Sequence, residues 1–338
     1  MRSPTAASTW RRSSPTASDS ARCRRPSSGF AAPAIRPRSS SSPGGADLPE
    51  LPEVETTRER IRPVLIGRRI AGVRTTGPSY FFLTPPERLR RQLVGRTALE
   101  LTRIGKYLVA PLDDASRLVL HLGMTGQLFA EGATSVRLLS AAARASLRPD
   151  EQRAFSPDAH THLRIDFDDG GPSVLFRDVR KFGKVLLLAP GEKTPRLDRL
   201  GVDALHATGA DLFAAARRRR AAIKTLLLDQ SVIAGAGNIY ADEALFLSGL
   251  RPARSARRLS RRQCDGLAEA LRQVLRRSIE TGGSSISDFV APDGSDGHYQ
   301  DERRVYARAG EPCSRCGSRI RRIVIGQRSA HFCPRCQA

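Results

Sequence analysis

Four cysteines near the carboxyl end constrain the fold of this chain most strongly. They form the pattern Cys313-x2-Cys316-x16-Cys333-x2-Cys336. Each pair fits one tight knuckle, and a separation of about one β-hairpin lets two pairs supply the four thiolates of a tetrahedral Zn²⁺ site. Redox-active pairs do not normally occur twice at this spacing. We therefore expect one structural zinc on a β-hairpin, with no open coordination position for catalysis.

The balance of charge predicts a polyanionic partner. The 338 residues include 56 Lys and Arg against 34 Asp and Glu, a net charge of +22. Such a surplus is typical of nucleic-acid-binding proteins, although charge alone does not distinguish nucleic acid from an anionic membrane surface. No apolar run approaches the roughly 18 residues of a membrane helix, which argues against a membrane-spanning protein. Only Cys23 and Cys264 lie outside the zinc motif, and this cysteine usage is typical of reduced, intracellular proteins.

Residues 1–47 differ in composition from the rest of the chain. They contain 12 Ser, 8 Arg and 6 Pro but only two acids and no Lys. Because they also lack apolar periodicity, we expect residues 1–48 to form a disordered leader. An Arg-rich, Ser-rich and acid-poor sequence is also typical of an organellar transit peptide, whereas the apolar core of a secretory signal is absent. The segment carries +6 of the total charge, so the basic character belongs mainly to the remaining chain.

Beyond residue 48 the pattern predicts a β-rich region, a helical region and the cysteine module. A helix follows Pro49 and ends near Gly67, and a polar insertion at 132–158 interrupts the β-rich region. The β-type runs are residues 69–75, 107–111, 117–122, 162–167, 173–177 and 184–189. The helical patterns are residues 211–218, 221–228, 238–248 and 261–280, before a Gly- and Ser-rich loop.

Four motifs, in order along residues 49–338, resemble those of one enzyme family. They are Pro-Glu-Leu-Pro-Glu-Val-Glu-Thr at 49–56, His-Leu-Gly-Met-Thr-Gly at 121–126, Arg-Lys-Phe-Gly at 180–183 and Gly-Ala-Gly-Asn-Ile-Tyr-Ala at 235–241. The zinc hairpin with Gln327 and Arg328 follows them. Each motif alone is modest, but together and in this order they are not expected by chance. The chain therefore resembles formamidopyrimidine-DNA glycosylase, a bacterial enzyme that excises oxidised purines.

The resemblance implies an α+β multidomain fold. We expect an N-terminal β-sandwich with flanking helices at 49–190, a C-terminal helix-two-turns-helix domain at 200–300 and a zinc-finger β-hairpin at 305–338. A loop that covers the lesion is expected at 281–299. The implied partner is damaged double-stranded DNA, and no membrane partner is expected. We expect a monomer that is cytoplasmic and associated with the nucleoid.

The resemblance also implies the catalytic residues Pro49, Glu50 and Lys106 of a bifunctional DNA glycosylase and AP lyase. An N-terminal proline offers a secondary amine that attacks the deoxyribose C1′, and the iminium that results is an electron sink for strand cleavage by β,δ-elimination. Glu50 would protonate the sugar ring oxygen, and Lys106 would contact the lesion and a flanking phosphate. Without the resemblance, the composition favours an ordinary helix start for Pro49 and Glu50.

Further positions match family residues that contact DNA. Met124, Arg180 and Phe182 resemble the triad that fills the gap left by the everted nucleotide, with Arg180 paired to the orphaned cytosine. The residues matched to phosphate contacts are His121, Lys224, Asn238, Tyr306 and Arg328. The structural alternatives are a Met and a Phe buried in a β core, and a Gly-x-Gly-Asn turn that only caps a helix.

The chain departs from the family at its amino end. Pro49 follows 48 residues, and an internal proline nitrogen is a tertiary amide without a nucleophilic lone pair. Leu48 stands where the family has its initiator Met, and leucine codons can start bacterial translation, so we expect translation to begin at position 48. Processing that exposes Pro49 and an inactive extended protein are the alternatives. Two other functions also stay open: an endonuclease VIII-type glycosylase for oxidised pyrimidines, and a noncatalytic protein that binds lesion DNA.

Overall fold

A computed structural model describes residues 49–133, 157–285 and 289–338 of the chain. The predicted disordered leader at 1–48 lies outside these ranges. Most of the insertion predicted at 132–158 and residues 286–288 of the predicted covering loop also lie outside them.

Helix α1, Leu51–Leu65, opens the described chain, as its apolar periodicity predicts. The side chain of Glu53 accepts a hydrogen bond from the backbone N–H of Glu50 at 2.9 Å. This contact satisfies one of the backbone donors that the start of a helix leaves free. The helix ends before Gly67, whose φ of 74° is a conformation that glycine adopts without strain.

Two four-stranded antiparallel sheets form the N-terminal β-sandwich, with strand orders β1-β6-β7-β5 and β2-β3-β4-β8. Leu108 and Leu120 of one sheet share a buried cluster with Leu128 and Ile165 of the other, so the inner faces pack on each other. The strands are β1 Ile70–Thr75, β2 Thr102–Ile104, β3 Tyr107–Pro111, β4 Arg117–His121, β5 Gly126–Ala130, β6 Thr161–Phe167, β7 Val174–Asp178 and β8 Lys184–Leu188. Helix α2, Pro86–Leu93, flanks β1. The sequence patterns did not predict α2, β2 or β5.

The helical region packs around a second core. Tyr240, Leu245 and Leu271 are buried there, and so is Leu51 of α1, which places the start of α1 against this region. The elements are α3 Pro195–Asp198, β9 Val202–Asp203, α4 Gly209–Arg217, α5 Ile223–Leu228, β10 Ile233–Ala234, α6 Asn238–Leu247, a 3₁₀ turn Ala256–Arg258, α7 Arg261–Glu280 and α8 Tyr299–Glu302. Among the described residues, no helix combines the length and apolar character that crossing a membrane requires.

The cysteine module folds as a β-hairpin of β11, Arg321–Ile325, and β12, Arg328–Phe332. Its two-residue turn consists of Gly326 and Gln327, with φ values of 54° and 64°, as a type I′ turn requires. Phe246 of α6 is buried together with two of the cysteines, and this contact seats the hairpin on the helical region. The predicted α+β fold, with a β-sandwich, a helical domain and a zinc-finger hairpin, is confirmed.

Candidate functional site

A cavity of about 500 Å³ brings together residues from distant parts of the chain. Five of the predicted site residues line it: Glu50, Lys106, His121, Asn238 and Arg328. They come from the start of α1, the β2–β3 turn, the end of β4, the start of α6 and the start of β12. The sandwich, the helical region and the zinc hairpin therefore all contribute to one site.

The buried carboxylate of Glu50 caps helix α6. One of its oxygens accepts a hydrogen bond from the backbone N–H of Ile239 at 3.0 Å, and the other accepts one from Tyr240 N–H at 3.4 Å. The start of a helix carries partial positive charge, which attracts a carboxylate. A Cβ atom on Gly237 would lie 2.2 Å from the Glu50 carboxylate carbon. The Gly-x-Gly-Asn turn therefore does more than begin a helix, because it leaves space for an acid from α1.

Glu53 is a second buried carboxylate, one turn further along α1. Besides the Glu50 N–H, it accepts hydrogen bonds from the Ser284 N–H at 2.8 Å and from the Tyr240 hydroxyl. Burial raises the pKa of the Glu53 carboxyl, although these hydrogen bonds act in the opposite direction. The sequence motifs assigned no role to Glu53. The tertiary contacts show that Glu53 links α1, α6 and the chain that follows α7.

Lys106 lies in the two-residue turn that joins β2 to β3. Burial lowers the pKa of its amine, and the positive charge of Arg328 acts in the same direction. The carboxylates of Glu50 and Glu53 oppose this shift. An amine with a lowered pKa beside an acid suits proton transfer within the cavity.

His121 ends β4 and presents a neutral ring to the cavity. Its Nδ1 accepts a hydrogen bond from Gly123 N–H at 3.1 Å, so the proton of the neutral ring resides on Nε2. Burial lowers the pKa of His121 to about 4, and the nearby charge of Lys106 adds to this effect. The side chain can therefore donate one hydrogen bond at neutral pH without carrying charge.

Asn238, the first residue of α6, lies between two hydroxyl groups. Its Nδ2 lies 3.3 Å from the hydroxyl oxygen of Tyr306 and 3.3 Å from Oγ of Ser329. Its Oδ1 is buried and has no hydrogen-bond partner within the described ranges. If the amide oxygen and nitrogen exchange places, both hydroxyls can donate to Oδ1 and the amide N–H groups become available to a ligand. Arg328, which precedes Ser329 on the zinc hairpin, is exposed at the cavity.

Lys224 does not line this cavity, although the sequence placed it among the phosphate contacts. Its side chain is fully buried. Its ammonium donates to Asp242 Oδ1 at 2.6 Å and to the backbone carbonyl of Ser329. Asp242 also accepts a hydrogen bond from His331 N–H at 2.8 Å. The pair joins α5, α6 and β12, so Lys224 contacts the strand that carries Arg328.

Met124, Arg180 and Phe182 lie on two loops in contact. The backbone N–H of Arg180 donates to Thr125 Oγ1 at 3.0 Å, and a Cβ on Gly123 would lie 2.4 Å from the backbone carbon of Phe182. Phe182 is 41% exposed, and the Arg180 guanidinium carbon lies 4.8 Å from the centroid of its ring. Phe182 is therefore not a core residue, and Met124, on the neighbouring loop, is half-buried.

Pro49 is buried immediately before Glu50. In the 338-residue chain its nitrogen forms the peptide bond to Leu48, so that nitrogen is an amide.

Three polar residues that line the cavity were not predicted from the sequence: Thr225, Asp229 and Gln230. Gln230 holds the glycine turn, because its Oε1 accepts from Gly235 N–H at 2.9 Å and its Nε2 donates to the Ala236 carbonyl at 2.8 Å. No local pattern marks a glutamine in this role.

The four cysteines of the hairpin converge as predicted. All four Sγ atoms lie within 4.8 Å of one another, with Cys313 to Cys336 at 3.9 Å and Cys316 to Cys333 at 3.4 Å. Tetrahedral Zn²⁺ with bonds of about 2.3 Å places its sulfur ligands about 3.8 Å apart. The donor set and its spacing therefore fit one structural zinc ion.

Three family models match the chain in order. The formamidopyrimidine-DNA glycosylase N-terminal domain matches residues 48–185, and the helix-two-turns-helix domain of the same glycosylase matches residues 200–290. A zinc finger found in this glycosylase and in isoleucyl-tRNA synthetase matches residues 310–338.

Two relatives of known name match the same part of the chain. The formamidopyrimidine-DNA glycosylase of Cupriavidus pinatubonensis is 42% identical over 306 residues, covering 86% of this chain and all of the relative. That of Solibacter usitatus is 40% identical over 291 residues, covering 86% of this chain and 99% of the relative.

Two solved structures show the same likeness. The MutM (Fpg) protein of Thermus thermophilus is 37% identical with a TM-score of 0.71, covering 86% of this chain and 98% of the other. Lactococcus lactis Fpg, solved with DNA that contains an abasic site, is 32% identical with a TM-score of 0.73, covering 85% and 99%. The chain therefore belongs to the formamidopyrimidine-DNA glycosylase family.

Proposed function

We propose that this protein is a bifunctional DNA glycosylase and AP lyase that excises oxidised purines, 8-oxoguanine and formamidopyrimidines, from duplex DNA. The observation that carries the proposal is the cavity shared by Glu50, Lys106, His121, Asn238 and Arg328. It combines an acid, an amine and hydrogen-bond donors for phosphate. Lactococcus lactis Fpg, whose fold this chain shares, has been solved with DNA that contains Fapy-dG. Membership of the family supports the enzyme class.

The proposed nucleophile is the nitrogen of Pro49 once that residue is the first of the chain. Its lone pair forms a bond to C1′ of the damaged nucleotide while the bond between C1′ and the base breaks, and the released base takes up a proton. The proline nitrogen then loses its own proton, O4′ is protonated and the sugar ring opens to an iminium. Loss of a C2′ proton expels the 3′-phosphate, a second elimination expels the 5′-phosphate, and water hydrolyses the iminium.

Glu50 and Lys106 are the proposed proton-transfer groups. Glu50 follows the nucleophile directly, and its carboxylate is held by two backbone N–H groups of α6, so its position is set before substrate binds. We assign the protonation of O4′ to Glu50, whose carboxylate takes up the proton that the Pro49 nitrogen loses and passes it to the ring oxygen. Lys106, whose pKa burial lowers, is assigned the proton transfers of the elimination steps and contact with a flanking phosphate.

The remaining cavity residues are proposed to bind the phosphates beside the lesion. Neutral His121 and the amide of Asn238 donate hydrogen bonds, and Arg328 supplies charge. Tyr306 contacts Asn238 and Lys224 contacts the strand of Arg328, so both contribute by positioning these donors. Phosphate contacts from several elements fix the register of DNA on a protein.

Met124, Arg180 and Phe182 are proposed to occupy the space that the everted nucleotide leaves. Apolar wedges stabilise an unstacked step, and an arginine can form two hydrogen bonds with a base edge. The exposure of Phe182 and its contact with Arg180 support this assignment. We propose further that the protein acts as a monomer in the cytoplasm, associated with the nucleoid.

The first experiment compares three proteins: the full chain, a chain that begins at Pro49 and the latter with Pro49→Gly. Each is incubated with an 8-oxoguanine duplex and with a thymine glycol duplex in the presence of borohydride, which traps the iminium. We expect a trapped complex on 8-oxoguanine for the chain that begins at Pro49, sharply less for its Pro49→Gly variant and none for the full chain.

Two outcomes would reject this proposal. A preference for thymine glycol would identify an oxidised-pyrimidine glycosylase of the endonuclease VIII type. Tight binding to abasic DNA without a trapped complex in any of the three proteins would identify a noncatalytic lesion-binding protein. The intact mass of the protein from its natural source shows which amino terminus exists in the cell.

A further inference from the structure

The helical region carries arginines that the cavity does not use. Two stretches of it, residues 212–228 and 244–264, contain no Asp or Glu. Eight of their arginines are exposed, and six of these form what we call the arginine surface: Arg218, Arg220, Arg257, Arg258, Arg261 and Arg262.

Backbone pairing holds the two stretches side by side. The Ile223 N–H donates to the Arg254 carbonyl at 2.8 Å, and the Ala256 N–H donates to the Ala221 carbonyl at 2.9 Å. The Arg257 N–H donates to the Arg219 carbonyl at 3.2 Å. The chain before α5 and the 3₁₀ turn therefore present their arginines together.

The start of α7 belongs to the same surface. The guanidinium carbons of Arg217, at the end of α4, and Arg261, in the first turn of α7, each lie 5.8 Å from the ring centroid of Phe213. One aromatic ring therefore separates the arginines of two helices, and Arg262 follows directly.

Few carboxylates neutralise this charge. Within the described ranges, the ion pairs of the arginine surface are limited to Arg261 with Asp265, at 3.9 Å and largely exposed. An exposed ion pair of this kind contributes little stabilising free energy. Six exposed arginines with so little opposing charge repel one another, and this arrangement is favourable where a polyanion lies on it.

The arginine surface is continuous with the edge of the cavity. Arg219, between Arg218 and Arg220, forms an ion pair with Asp229, and Asp229 lines the cavity. A duplex that is seated at the cavity and passes this edge would bring its phosphates to the arginine surface.

We propose that the arginine surface is a second DNA-binding surface, which contacts the phosphate backbone of the duplex beyond the lesion and adds affinity that is independent of sequence and damage. The inference rests on the proposed function for the placement of the duplex. Guanidinium groups suit this partner because they bind phosphate oxygens in a two-pronged geometry. Each phosphate contact releases counterions and makes binding more dependent on salt.

The test uses the chain that begins at Pro49, with Arg257→Gln and Arg258→Gln together. The backbone hydrogen bond of Arg257 persists, and both side chains are exposed, so the fold and zinc content should not change. The matched control removes two arginines of α2 in the sandwich, Arg88→Gln and Arg91→Gln. The affinity for DNA is measured at several salt concentrations with two duplexes. One is a short duplex that contains the lesion, and the other is longer than it by one helical turn on each side.

For the arginine-surface variant we expect at least about a tenfold weaker affinity for the long duplex and a salt slope smaller by about 2. Affinity for the short duplex and single-turnover excision from it should match the parent protein, and the control should match on both lengths. Equal affinity for the long duplex in variant and parent would overturn the proposal, and would leave an acidic protein or RNA as the partner to test. An equal loss in the control would show a general charge effect and would also overturn it. Failure of the parent to excise from the short duplex would instead reject the proposed function.

Discussion

The side chain of Glu50 occupies the place where a Cβ atom of Gly237 would lie, 2.2 Å from its carboxylate carbon. The carboxylate therefore reaches the first N–H groups of α6 only because residue 237 has no side chain. This contact joins the amino-terminal motif to the helical region, and it determines where the proposed acid stands.

Gly237→Ala should displace Glu50 and abolish excision. We expect a loss of at least about 100-fold in the single-turnover rate, the range typical of a lost proton-transfer group. The matched control is Gly266→Ala in α7, where an added Cβ meets nothing within 4 Å. A rate within a few fold of the parent protein in Gly237→Ala would contradict the assignment.

His121 should make the folded protein sensitive to acid. Its pKa is lowered from 6.5 to about 4, so between these pH values the unfolded chain binds a proton that the folded protein does not. The contribution of His121 to stability therefore falls as pH decreases from about 6.5 to about 4. We expect His121→Gln to reduce the dependence of the urea unfolding midpoint on pH in this window. The control His206→Gln, at an exposed histidine, should leave this dependence unchanged. Equal slopes in all three proteins would refute the prediction.

The buried pair of Lys224 and Asp242 should matter for stability more than for direct contact with DNA. Lys224→Met leaves a carboxylate buried without its cation, which costs about 3 to 5 kcal/mol of unfolding free energy. In the double variant Lys224→Met with Asp242→Asn, a neutral amide can still accept from His331 N–H, so we expect most of this loss to be recovered. Urea unfolding measures the free energy of unfolding of the single and the double variant. A single variant as stable as the parent would be inconsistent with a buried ion pair.

Loss of one zinc ligand should release the metal and weaken DNA binding. Cys333→Ser removes a buried thiolate from a site with four protein ligands, and Arg328 on the same hairpin then loses its fixed position. The control is Cys264→Ser, because Cys264 is buried in the helical core away from the cluster. Zinc content per protein is measured by metal analysis. Undiminished zinc in Cys333→Ser would disprove the ligand assignment.

Arg180→Ala should relax the preference for cytosine opposite the lesion. An arginine that pairs with a base edge contributes about 1 to 3 kcal/mol of discrimination. We therefore expect the ratio of excision rates opposite cytosine and opposite adenine to fall by about tenfold or more. Arg74→Ala, an exposed arginine on β1, serves as the control. An unchanged ratio in Arg180→Ala would reject the pairing role.

Local patterns predicted most elements because their causes are local. The periodicity of α1 and α7, the glycine that follows α1 and the alternating runs of the sandwich all depend on residues close in sequence. Helix α2 and strands β2 and β5 were missed. β2 has only three residues, and α2 begins at Pro86 after Pro85, which resembles a loop.

The zinc ligands, the family and the order of the domains follow from the sequence alone, because four cysteines at fixed spacing and four motifs in order need no knowledge of distant contacts. The set of side chains that share the cavity depends on the tertiary structure. That structure placed Lys224 with Asp242 instead of at the cavity, buried Glu53 between two helices and set Glu50 against Gly237. These contacts join residues far apart in the chain, and burial and close packing, which no local pattern encodes, select them.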